Sequence, residues 1–150
     1  MKKLLVASEA FIEGGNILAK YTCDGKAINP PLIVDNIPEN TKTLAIIVED
    51  PDAPRGTFDH WLLWNLPPDR IIKEDRMLGV SGVNSAGKLG YYPPCPPSGS
   101  HRYYFTVFAL DTSLSLEEGS VKQKLKAVME NDILAQGVLM GKYQKQADNI

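Results

Sequence analysis

The chain has 150 residues, 16 basic and 18 acidic side chains, a formal net charge of −2 and 43% hydrophobic residues, a composition that excludes a disordered or collagen-like chain. The charge balance speaks against a nucleic-acid surface, which needs a basic face, and no apolar run approaches the ~20 residues of a membrane span. One domain over residues 1–150 is expected, able to bury roughly 68–70% of the surface its unfolded form exposes.

Met1-Lys2-Lys3 followed by Leu4-Leu5-Val6-Ala7 imitates a signal peptide, but Ser8 and Glu9 end the apolar region too early. A cytoplasmic protein is therefore expected. Cys23 and Cys95 share no C-x-x-C spacing, and in a reducing compartment two free thiols are expected in place of a disulfide.

Leu4 to Phe11 reads as an opening strand and Ile17 to Tyr21 as a second short one, with a turn at Gly14-Gly15-Asn16 between them. After Asn29-Pro30-Pro31 comes the apolar triplet Leu32-Ile33-Val34. Thr43 to Val48 is continuous and β-branched, the pattern of a strand buried on both faces. It stops at Asp50-Pro51-Asp52-Ala53-Pro54, where prolines cannot donate to a ladder. His60 to Leu66 is the next strand, and residues 69–100 are rich in loops, a length that in a compact domain points to function. Arg102 to Leu110 is a strong aromatic strand, expected to be core on both faces. A helical period appears only after Ser120. There Ser120 and Gln123 form a capping box, and Val121, Leu125, Val128 and Met129 form one apolar stripe. Lys122, Lys124, Lys126 and Glu130 read as its solvated face. Ile133 to Met140 is either helix end or final strand. Many short strands and one late helix predict a mainly β fold, an antiparallel sandwich with a short C-terminal helical part.

All eleven prolines lie between Pro30 and Pro97, and the two histidines, His60 and His101, both open strands. If those strands share a sheet with the one ending at Asp50, a carboxylate and two imidazoles converge at its end. Imidazoles titrate near neutrality, glycines such as Gly90 and Gly99 let backbone N–H groups approach an anion, and Tyr91 and Tyr103 add hydroxyls. The set suits a phosphate-like anion. The same residues also admit a two-histidine-one-carboxylate metal site, or a hydrolase using Ser98 or Ser100. Local spacing supports neither, there being no H-x-H pair and no G-x-S-x-G elbow. The plainest alternative is that each histidine merely satisfies a strand end. Arg102 is expected to pair structurally with an acid.

Tyr21-Thr22-Cys23-Asp24-Gly25, Asn29-Pro30-Pro31-Leu32, Asp50-Pro51-Asp52-Ala53-Pro54, His60-Trp61 and the run from Gly90 to Tyr103 resemble the phosphatidylethanolamine-binding protein family, in its bacterial and archaeal, Raf kinase inhibitor-like branch. The resemblance implies an antiparallel β-sandwich with a pocket for phosphate, phosphorylethanolamine-like head groups or similar anions. It assigns that pocket to Asp50, His60, Gly90, Tyr91, Pro94, His101 and Tyr103. It also implies a regulatory module with no catalysis, metal or cofactor; whether the chain is a monomer or a homodimer is left open by the sequence. A second possibility within the resemblance is an inhibitor that meets a kinase or serine protease through surface loops. The chain departs from the family pattern at Asn84-Ser85-Ala86-Gly87, at Tyr92-Pro93 and at Leu18.

Overall fold

The computed structural model describes residues 2–76 and 78–146. Its strands are β1 (Lys2–Lys3), β2 (Leu5–Ala7), β3 (Leu32–Asp35), β4 (Thr43–Asp50), β5 (Phe58–Leu66), β6 (Ile71–Ile72), β7 (Val80–Ser81), β8 (Ser100–Leu110) and β9 (Ile133–Gln144); α1 spans Lys122–Met129. Six strands form one sheet in the order β1-β9-β8-β4-β5-β7, and β2-β3-β6 form a second. Every pairing is antiparallel except β1 with β9. The mainly β sandwich expected from the sequence is the observed fold.

The apolar run of β4 is explained by its central place. Leu44, Ile46 and Val48 face the small sheet, meeting Leu32 and Val34 together with Phe105 and Val107 of β8. Ala45 and Ile47 face the other way, packing with Leu62, Trp64, Phe108 and Leu110 against Leu125 and Met129 of α1. A strand covered on both sides has no reason to alternate with polar residues. An eight-residue helix is too short to persist alone. Burial of Leu125 and Met129, at ~1.5–3 kcal/mol for each such side chain, is what holds α1 to the sheet.

Several local expectations are corrected. Ile17–Tyr21 is no strand: Ala19–Tyr21 is a turn of 3₁₀ helix, and the opening segment pairs only over Lys2–Lys3 and Leu5–Ala7. Ser120 does not cap α1, since its hydroxyl donates to the Glu117 carbonyl and Val121 stands at the cap without a side-chain bond. Val121 and Val128 are exposed, so the apolar stripe reduces to Leu125 and Met129. Ile133–Met140 belongs to a twelve-residue strand, so the helix precedes the last strand and does not end the chain. The aromatic strand is core on one side along Tyr103, Phe105 and Val107, whereas Tyr104 and Thr106 opposite them are only half-buried.

The largest correction concerns the cysteines. Cys23 and Cys95 form a disulfide, with Cα atoms 5.4 Å apart across a sequence separation of 72. Spacing in the chain carries no trace of that proximity, which arises because the 19–25 turn folds over the proline-rich loop. Closing a loop of that length restricts the unfolded chain by about 4 kcal/mol in the entropic account.

Candidate functional site

A cavity of about 310 Å³ opens at one end of the large sheet, lined by Asp50, Ala53, Pro54, Phe58, His60, Tyr92, Cys95, Pro96, Pro97, His101 and Tyr103. Three strands bring its polar groups together. Asp50 ends β4, and His101 and Tyr103 sit two apart near the start of β8, so both face inward with the core side chain Phe105. His60 arrives by another route. Along β5, Trp61 pairs with Val48 but Asp59 pairs with Glu49, which leaves His60 as the extra residue of a β-bulge. The bulge turns His60 to the same side as the core residue Trp61, while Asp59 turns outward to Lys122 of α1. Bulges of this kind re-aim a side chain beside a site.

Each histidine has one ring nitrogen already committed. His101 Nδ1 lies 2.6 Å from Asp50 Oδ2, and both side chains are buried. A carboxylate can only accept here, so His101 Nδ1 carries the proton. His60 Nδ1 donates to the Tyr92 carbonyl at 2.7 Å, again because a carbonyl can only accept. Nε2 of each ring is then the open hydrogen-bonding atom at the cavity. Burial holds the His60 imidazole below its ordinary value, with the Tyr92 carbonyl and the Asp50 and Asp59 carboxylates opposing that shift. Near neutrality His60 therefore presents a lone pair and no donor. Desolvation also raises Tyr103, with Asp50 and Asp52 adding to it, so its hydroxyl stays protonated.

The walls are fixed by consecutive residues of β8. While His101 holds Asp50, Arg102 donates from its backbone N–H and guanidinium to Asp52, an arrangement that places the carboxyl of Asp52 at about 2. Asp50 Oδ1 in turn accepts the Asp52 N–H at 2.7 Å. The Asp50–Pro54 turn is so tied to the start of β8, and the structural acid expected for Arg102 is Asp52. Rings of Phe58, His60, Tyr92 and Tyr103 stand within 6.0 Å of one another in pairs that include His60.

Of the residues assigned from the sequence, Asp50, His60, His101 and Tyr103 line the cavity; Gly90, Tyr91 and Pro94 do not. The Gly90 N–H donates to Ser81 Oγ and its carbonyl accepts from Asn84, so it offers no anion nest; its φ of 88° is a turn requirement. The Tyr91 hydroxyl donates to the Tyr21 carbonyl with its ring edge-on to Trp61, and the Pro94 carbonyl accepts the Cys23 N–H. These three support the wall from behind. Ser98 and Ser100 lie outside the lining. Phe58 also lines the cavity without a mark in the motifs beyond its aromatic character two residues before His60, and Tyr92, a departure from the family pattern, forms part of the rim. Among the described residues no group of three or more His, Cys, Asp or Glu side chains is arranged to hold a metal ion. No helix among them is long and apolar enough to cross a membrane.

Comparison with known proteins converges on one family. The sequence model described as phosphatidylethanolamine-binding protein matches residues 7–144. A UPF0098 protein of Archaeoglobus fulgidus is 46% identical over 153 residues, covering 97% of this chain; the chain spans only 53% of that relative's length. A UPF0098 protein of Methanothermobacter thermautotrophicus is 43% identical over 146 residues, covering 92% of this chain and 97% of the relative. The crystal structure of a phosphatidylethanolamine-binding protein homologue from Chlamydia trachomatis superimposes with a TM-score of 0.93 at 42% identity, covering 97% of this chain and 100% of that one. The chain belongs to the phosphatidylethanolamine-binding protein family.

Proposed function

We propose that the chain is a single-domain, non-catalytic module whose cavity binds one small anion of the phosphate or phosphorylethanolamine class. The observation that carries this reading is the pairing of two buried imidazoles, each with Nδ1 committed and Nε2 open to one small cavity. Two Nε2 atoms facing a site walled by Pro54, Pro96 and Pro97 suit the tetrahedral oxygens of a phosphoryl group once the anion's arrival brings protons to them, and a proline-walled site loses little entropy when it is filled. A net charge of −2 is no obstacle, because one small anion needs local donors and not a basic face. The cavity lining offers no serine or threonine hydroxyl as a nucleophile, and its one cysteine is in a disulfide.

Thermal-shift and calorimetric titration with inorganic phosphate and phosphorylethanolamine test the reading. Ligand at 100-fold its dissociation constant adds about 2.7 kcal/mol, and His101→Ala abolishes that gain while leaving a folded chain. An unmoved melting point at millimolar ligand with both compounds would sink it.

A further inference from the structure

One wall of the cavity is held covalently. Cys95 lines the cavity, and its partner Cys23 belongs to the turn behind it. Both half-cystines are exposed, whereas Asp50, His60 and His101 on the floor are buried. Upstream of Cys95 the wall has ordinary anchors: Tyr92 N–H to the His60 carbonyl at 2.9 Å, Cys23 N–H to the Pro94 carbonyl at 3.1 Å, and the Tyr91 hydroxyl to Tyr21. Downstream it has few. Pro96 and Pro97 carry no N–H, and among the described residues no hydrogen bond is made by residues 95–99 before β8 begins at Ser100. Besides the burial of Pro96, the disulfide is thus the tie on the stretch that supplies Cys95, Pro96 and Pro97 to the cavity.

We propose that the Cys23–Cys95 disulfide is a redox switch on the anion cavity, closing the Cys95–Pro97 wall when oxidised and releasing it when reduced. The inference deepens the anion-binding reading and rests on it for its consequence, though not for the motion itself. The chemistry is thiol–disulfide exchange with a dithiol. One thiolate of the reductant attacks a sulfur of the pair, forming a mixed disulfide and expelling the other cysteine as thiolate. The second thiol of the reductant then displaces the remaining cysteine. Two electrons and two protons pass to Cys23 and Cys95, and the dithiol leaves as its own disulfide. Both half-cystines are exposed residues, which gives an attacking thiolate a route to the pair. A released wall must be ordered again when an anion binds, and that ordering cost appears as lost affinity.

The test compares oxidised wild type, wild type in dithiothreitol, and Cys23→Ser/Cys95→Ser, all well below the unfolding transition. Backbone relaxation at Cys95, Ser98 and Gly99 reads the wall directly: order parameters fall from ~0.85 towards ~0.6 on reduction. Phosphate titration reads the consequence, with the dissociation constant rising roughly tenfold on reduction and the serine variant matching reduced wild type with or without dithiothreitol. Order parameters and affinities that agree between oxidised and reduced protein overturn the switch. Should the serine variant fail to fold, reduced wild type decides alone. If oxidised wild type binds neither phosphate nor phosphorylethanolamine, the anion reading falls, and unchanged order parameters on reduction would then refute the switch separately.

Discussion

His101 Nδ1 and Asp50 Oδ2 stand 2.6 Å apart in a buried contact between the start of β8 and the end of β4. Asp50 serves two donors, with Oδ1 taking the Asp52 N–H and Oδ2 the imidazole. It therefore fixes the turn at the cavity mouth and the tautomer of the histidine together.

Asp50→Asn separates those two roles. The amide oxygen can keep the Asp52 N–H, but its NH₂ then meets His101 Nδ1, which must accept. The proton moves to Nε2, and the open atom at the cavity changes from acceptor to donor. Nitrogen-15 shifts of the imidazole report this reversal, and an unchanged Nδ1–H signature would show that Asp50 does not set the tautomer. Asp50→Ala leaves both donors unmet and destabilises the fold by about 1–3 kcal/mol, measured by denaturant unfolding.

Burial gives His60 a second, independent signature. Its folded value lies below the ordinary 6.5, with desolvation the leading cause. The unfolded chain therefore takes up the proton first as pH falls. Above 6.5 both states are neutral and His60 contributes nothing to pH dependence. Below it, stability declines until the folded value is reached. His60→Gln removes this component, so the melting temperature of the variant falls less steeply than wild type between pH 7 and 5. Parallel slopes would mean that His60 titrates alike in both states.

Much of this site can be read in the chain, and the exceptions have physical causes. Asp50, His101 and Tyr103 stand at the ends of strongly patterned strands, so period-two alternation places them with the core. His60 breaks that rule. Strict alternation along β5 would put it with Leu62 and Trp64 under the helix, and only the bulge opposite Val48–Glu49 brings it to the cavity. A bulge leaves no mark in composition. Gly90 departs from the sequence expectation because a glycine at positive φ serves a turn as readily as a ligand. The disulfide is invisible in the chain because loops, and not spacing, bring its partners together. Asn84 shows the reverse: the departure from the family pattern at 84–87 still closes its loop, with Asn84 Oδ1 accepting the Ala86 and Lys88 N–H groups.

Lys122 differs from the solvated-face expectation because a helical pattern sees only its own helix. Its Nζ lies 2.8 Å from Glu49 Oε2 and 2.6 Å from Asp59 Oδ1, at 16% side-chain exposure. Lys122→Met leaves two carboxylates side by side at the helix contact and costs about 1.5–3 kcal/mol, the range for hydrogen bonds to charged groups. Lys20→Met, which removes the more exposed pair with Glu74, costs about 0–1 kcal/mol. Paired chemical denaturation curves check the contrast, and equal losses would show that Lys122 is no more than a surface charge.

The two Nδ1–H groups also dictate how anion binding depends on pH. With Nδ1 of each ring engaged by Tyr92 and Asp50, an imidazole can hold an anion oxygen only through a protonated Nε2. Burial keeps that proton off His60 in the empty cavity near neutrality, so binding draws a proton in. Sulfate isolates this effect, because its own charge does not change across the range. Its affinity rises as pH falls from 8 to 6, and calorimetry in buffers of different ionisation enthalpy shows net proton uptake. His60→Gln flattens the profile without unfolding the chain. Affinity that is independent of pH, with no proton exchanged, would mean that the anion is held by other donors and that the imidazoles only shape the cavity.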